Sequence, residues 1–177
     1  MKKILATIVA LAAMSFCASA AEYVVTGTTT NIYQEPSTDS PMPNQWEDLI
    51  DILPGMAFEK TGEAEGFWRV NIPGWNGAWL PKSACVTPEK LDLQPGTYQF
   101  VYEEESYPVT ITAGDTEGTF KIDYRDGANT YTGTLVEPGV VIMTDPRFEG
   151  SDVTGSISCV GGKTRVWIYD TTVLPWN

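Results

Sequence analysis

The chain contains no histidine, which removes the usual general base, the usual zinc ligand and every serine–histidine or cysteine–histidine nucleophile pair. Acid–base chemistry would have to run on carboxylates. Two acids held across a cleft can hydrolyse a glycosidic bond, but with 23 acidic residues in 177 nearly any pair could be nominated. The obvious groups, Glu103-Glu104-Glu105 and Asp115 with Glu117, fall in short turns between strand-like runs. A hairpin tip seldom offers the dry, preorganised cleft that catalysis requires. A non-catalytic protein is the leading expectation, and a carboxylate-based glycan hydrolase ranks third.

Asp145, Glu149 and Asp152 share a loop with Pro146 and Gly150, an oxygen-rich setting that hard cations accept. Their spacing matches no twelve-residue calcium loop, and a solvated acidic loop accounts for them more simply. No metal or other cofactor is expected. Cys85 and Cys159 are candidates for a disulfide in an oxidising compartment. Such a bond would close a loop of over 70 residues and add on the order of 4 kcal/mol in the chain-entropy model. Against it, Cys159 falls in register with Val153, Gly155 and Ile157 on the expected inward face, where free cysteine packs as a small apolar residue.

Six tryptophans and eight tyrosines are the best resource for recognition, because a flat ring stacks on a sugar face or a peptide side chain while its polar tip hydrogen-bonds. Trp75, within Pro73-Gly74-Trp75-Asn76-Gly77, and Trp46 and Tyr33 beside a long loop are the residues expected to be accessible and to bind ligand. Trp68 and Trp79 are expected to be largely packed.

The elements that must hold these rings are short strands. Thr30-Asn31-Ile32-Tyr33-Gln34-Glu35-Pro36-Ser37, Leu53-Pro54-Gly55-Met56-Ala57-Phe58, Gly66-Phe67-Trp68-Arg69-Val70-Asn71-Ile72 and Gly77-Ala78-Trp79-Leu80-Pro81-Lys82-Ser83-Ala84-Cys85-Val86 follow one another in order. Over residues 22–87 this series resembles a bacterial SH3-like domain. The resemblance implies a small barrel that holds ligands or positions neighbouring domains without doing chemistry, with a peptide or cell-wall fragment as the ligand. Such domains often precede cell-wall cysteine peptidases, but the rest of this chain has neither the histidine nor the helical pattern of those enzymes. One departure is the loop from Asp39 to Asp51, longer than the family's first loop. Asn44 followed by Glu47 has the polar pattern of a helix start, with Trp46, Leu49 and Ile50 spaced to share one face.

Residues 87–96 have the proline, glycine and charge content of a connector. Beyond it, residues 93–177 alternate with period two: Tyr98, Phe100 and Tyr102 share a face, as do Phe120, Ile122 and Tyr124, while Lys121, Asp123 and Arg125 oppose them. Further runs at Val109–Thr112, Tyr131–Val136, Val140–Met143, Val153–Val160 and Arg165–Tyr169 bring the count to about seven strands. The turns between them are short, which favours antiparallel neighbours. The predicted architecture is all-β, an SH3-like small barrel followed by a second antiparallel barrel or sandwich.

Residues 1–20 read as a processing signal: Lys2 and Lys3, an apolar run from Ile4 to Phe16, and the small-residue pattern Ala18-Ser19-Ala20. Cleavage near Ala20 would send the protein to the periplasm or outside the cell. Cys17 raises the rival of a lipoprotein signal, which Met14 and Phe16 fit poorly. Removing Lys2 and Lys3 leaves nine basic residues against 23 acidic ones, a formal charge of −14. That sign disfavours nucleic acid and anionic lipid and steers cationic partners inward. No membrane insertion is expected. The second-ranked reading is accordingly a secreted inhibitor or scavenger of a cationic enzyme such as a lysozyme.

Overall fold

The computed structural model describes residues 21–43, 50–72, 75–102, 105–124, 127, 129–147 and 153–169. Among them the regular structure is all strand apart from one 3-10 turn at Lys82–Ala84. The helix expected over 44–50 falls largely outside the described residues.

The first half contributes β1 (Glu22–Thr26), β2 (Thr30–Asn31), β3 (Asp51–Ile52), β4 (Ala57–Ala64), β5 (Phe67–Ile72), β6 (Trp75–Pro81) and β7 (Cys85–Val86). Five of them form an antiparallel sheet in the order β6-β5-β4-β1-β7, and β2 and β3 make a separate ribbon. Strand alternation sorts the side chains of β5: Val70 and Ile72 are buried and Trp68 packs on the same core, while Arg69 lies on the opposite face and is exposed. The hairpin from β4 to β5 turns at Gly66, whose φ of 74° a residue with a side chain rarely adopts. Phe58, Val70, Ile72, Ala78 and Leu80 bury their side chains with Ile32, Met42, Ile50, Ile52 and Met56.

The second half contributes β8 (Gly96–Tyr102), β9 (Glu105–Ala113), β10 (Thr119–Tyr124), β11 (Asn129–Val136), β12 (Val140–Thr144), β13 (Val153–Val160) and β14 (Lys163–Ile168). Each strand pairs antiparallel with its chain neighbour, and β14 returns against β8, so the seven strands form a nearly closed barrel. Val109, Ile111, Ile122, Tyr124, Tyr131, Val141, Met143, Ile157 and Val166 fill it. Its interior is crowded at Gly133, where a Cβ would stand 2.7 Å from both Ile122 and Val141 side chains.

Among the described residues no strand of one large sheet pairs with a strand of the other, yet the two are packed together. Val25 and Ala57 bury themselves against Val140, Ile142 and Val160. The turn before β4 is gripped by polar groups of β13 and β14. Ser158 Oγ donates to Gly55 O at 2.8 Å, and Trp167 Nε1 donates to Pro54 O at 2.9 Å. Tyr169, just past β14, receives the Ala57 amide at 2.8 Å, donates back to the Ala57 carbonyl at 2.9 Å and lies 2.7 Å from Ser156 Oγ. Its ring stacks on Phe58 with centroids 5.4 Å apart. The connector is pinned as well: the Glu89 amide donates to Cys159 O, and its carboxylate accepts from the Gly162 amide, both at 2.9 Å.

Candidate functional site

The face of the first sheet turned away from its core carries an uneven set of side chains. Register sets Arg69 between Gly62 on β4 and Trp79 on β6, and Phe67 opposite Pro81. Tyr33 joins the edge through two backbone bonds with Trp79, at 3.0 and 2.9 Å, and its ring meets Phe67 edge-on with centroids 5.9 Å apart. The two glycines shape this face. Gly77 has φ +91°, and a Cβ there would stand 2.5 Å from Arg69 Nη2, so the guanidinium rests on bare backbone. Arg69 is exposed and takes part in none of the ion pairs among the described residues.

One register step along, Glu59 lies opposite Tyr23 on β1 and Asn71 on β5. Asn71 Nδ2 donates to Glu59 Oε2 at 2.9 Å, which orients the carboxylate. Burial, with the Glu59 charge added to it, pushes the Tyr23 phenol above its ordinary range. Beyond Tyr23 the same face reaches Val25 and Ala57, where the barrel covers it. The open part is therefore a ledge, bounded on one side by the second half and lined by Glu59, Arg69, Phe67 and Trp79.

The opposite face is occupied. Trp68 packs on the core, and the ammonium groups of Lys60 and Lys82 lie 4.3 and 4.2 Å from its ring centroid. Those lysines are held in turn by Glu22 at 2.9 Å and Glu63 at 3.2 Å. Trp68 thus has the packed role expected for it. Trp79 does not: it is half-buried on the outer face beside Arg69, because its register partner points away from the core.

Of the three residues nominated for binding, Tyr33 is placed differently from the expectation. It is only 9% exposed, since its bridge to Trp79 and its contact with Phe67 fix it as the anchor of the loop that follows. Trp46 lies outside the described residues. Trp75 opens β6 opposite Ile72, and its side chain lies outside them too. Arg69 and Trp79 were the residues to find. Period-two alternation through Phe67-Trp68-Arg69-Val70 already puts Arg69 opposite the core, and glycines at 62 and 77 leave room beside it.

The disulfide weighed from the sequence is absent: Cys85 and Cys159 are both free thiols. Cys85 donates to Pro81 O at 3.5 Å, and burial pushes its pKa up to about 11, away from thiolate reactivity. The Cys159 sulfur lies 4.0 Å from Glu89 Oε2. The loop considered for calcium is committed otherwise, since Arg147 grips Asp145 through Nε at 2.9 and 3.0 Å. That hydrogen-bonded pairing holds the Asp145 carboxyl below the usual range. Glu149 and Asp152 lie outside the described residues, among which no group of three metal-ligating side chains occurs. Glu103 and Glu104 also lie outside; Glu105 accepts from the Tyr107 hydroxyl, and Asp115 and Glu117 are exposed in their turn.

No family model, curated protein or solved structure matches the chain.

Proposed function

We propose that this is an exported, non-catalytic binding protein whose SH3-like first half holds a peptide or cell-wall fragment on the ledge of β4, β5 and β6. The barrel then serves as a rigid partner-binding or structural unit behind it. The observation that carries this reading is Arg69 laid on Gly77 beside Trp79, an exposed cation with no acidic partner among the described residues of a strongly acidic chain. A guanidinium next to an aromatic ring suits a ligand that combines a carboxylate with a flat sugar or side-chain face.

Retention of the mature protein on purified peptidoglycan tests this. Trp79→Ala is expected to weaken retention about tenfold, the upper range of one aromatic contact, while leaving the melting temperature within a few degrees. Retention should also persist at 1 M salt, where the Debye length has fallen to about 3 Å. Normal retention by folded Trp79→Ala would overturn the proposal. Intact-mass analysis of secreted material tests the export step: a chain starting near Ala21 supports it, and a lipid-modified Cys17 would make the protein membrane-anchored.

The inhibitor reading draws on a separate observation. Lys60, Lys82, Lys121 and Arg147 are each tied to an acid, and with 23 acidic against 11 basic residues in the chain the acids left over far outnumber the bases. Capture of a basic secreted enzyme at low salt, lost at 1 M salt and indifferent to Trp79→Ala, would favour it.

A further inference from the structure

We infer that the ledge recognises a short peptide bearing both a free amine and a free carboxylate, a zwitterion about three residues long. This rests on the reading above that the ledge is a binding surface. Glu59 and Arg69 stand on one face of the sheet in adjacent register steps, since Glu59 pairs with Asn71 and Arg69 lies two residues before Asn71 on β5. Neither takes part in an ion pair among the described residues. They also fail to pair with each other, because the Arg69 guanidinium lies over Gly77, toward β6 and away from β4. Glu59 is meanwhile held by Asn71 at 2.9 Å.

The result is one fixed negative and one fixed positive group, kept apart. Gly77 falls between the partners of Val70 and Asn71, so the charges are separated mainly across the sheet, by at most two strand spacings of about 4.8 Å, or roughly 10 Å. An extended tripeptide has that reach, at about 3.3–3.6 Å per residue. Its amine would meet Glu59 and its carboxylate Arg69, with Trp79 opposite Arg69 and Phe67 one step beyond it, on the side away from Glu59, within reach of the C-terminal residue. Overall charge favours the same class: a chain of net charge −12 repels polyanions at long range but not a ligand whose charges cancel.

Trialanine, N-acetyl-trialanine and trialanine amide, titrated calorimetrically into the mature protein, test the inference. Free trialanine should bind about fivefold more tightly than either blocked form, the upper end for an exposed charge pair. Arg69→Gln should erase the preference for acid over amide while keeping that for amine over acetyl, and Glu59→Gln should do the reverse. Thermal melts of both variants establish that they are folded. Equal affinity for all three peptides, no binding of trialanine, or variants that weaken all three equally would overturn the inference. Trp79-dependent retention on peptidoglycan would in those cases leave the broader binding function standing, whereas its loss would remove that function itself.

Discussion

Phe58→Ala is expected to lower the free energy of unfolding by about 3–5 kcal/mol and to shift the melting of both halves together. Phe58 belongs to the first sheet, is 1% exposed and stacks on Tyr169 at the end of the barrel. One continuous cluster runs from Ile32 and Phe58 to Ile157, Trp167 and Tyr169, so the cavity left by the ring opens at the seam between the sheets. A domain of this size has roughly 5–15 kcal/mol in total, which makes the loss a large fraction. Urea unfolding followed by far-UV and near-UV circular dichroism checks it. Coincident transitions that move together support a shared core. A barrel transition that keeps its midpoint in Phe58→Ala would show instead that the second half folds on its own.

The seam is also where the sequence was hardest to read. The barrel strands were legible because polar and apolar residues alternate between strong turns, as in Phe120-Lys121-Ile122-Asp123-Tyr124, where Ile122 and Tyr124 are buried and Lys121 is exposed. β12 breaks that alternation: Val140, Val141, Ile142 and Met143 are all buried. A strand apolar on both faces is covered on both faces, so the run implied a second layer without saying which segment supplied it. Ser156, Ser158 and Thr26 gave no such hint, being polar residues buried only because carbonyls in the turn before β4 accept their hydroxyls. Partners 27 to 103 positions apart leave no local pattern. On the ledge, Tyr33 was misjudged for a related reason: its bridge to Trp79 joins residues far apart in the chain.

Stability is expected to fall as pH rises above about 9, and Tyr169→Phe to remove the part of that fall that begins near 10. Tyr169 is fully enclosed, and burial drives its phenol well above the ordinary value of 10.0, although hydrogen bonds from Ser156 and Ala57 pull modestly the other way. A group whose folded pKa exceeds its unfolded one binds its proton more tightly when folded. Its contribution is therefore complete below the unfolded value and is lost as pH climbs toward the folded one, by about 1.4 kcal/mol per pH unit. Cys85, pushed up to about 11, adds a loss of the same sign beginning near 9.0. Tyr23 is raised too. Both are common to wild type and variant, so the difference between the two proteins isolates Tyr169. At pH 7 the variant should be less stable by about 1–3 kcal/mol for the lost hydroxyl, toward the low end because the Ala57 amide keeps Ser156 Oγ at 3.2 Å. By pH 11 the gap should narrow by roughly 1.4 kcal/mol. Urea midpoints at pH 7, 10 and 11 decide it: parallel slopes would mean that the hydroxyl ionises as freely in the folded protein as in the unfolded chain, and that the seam is open to water.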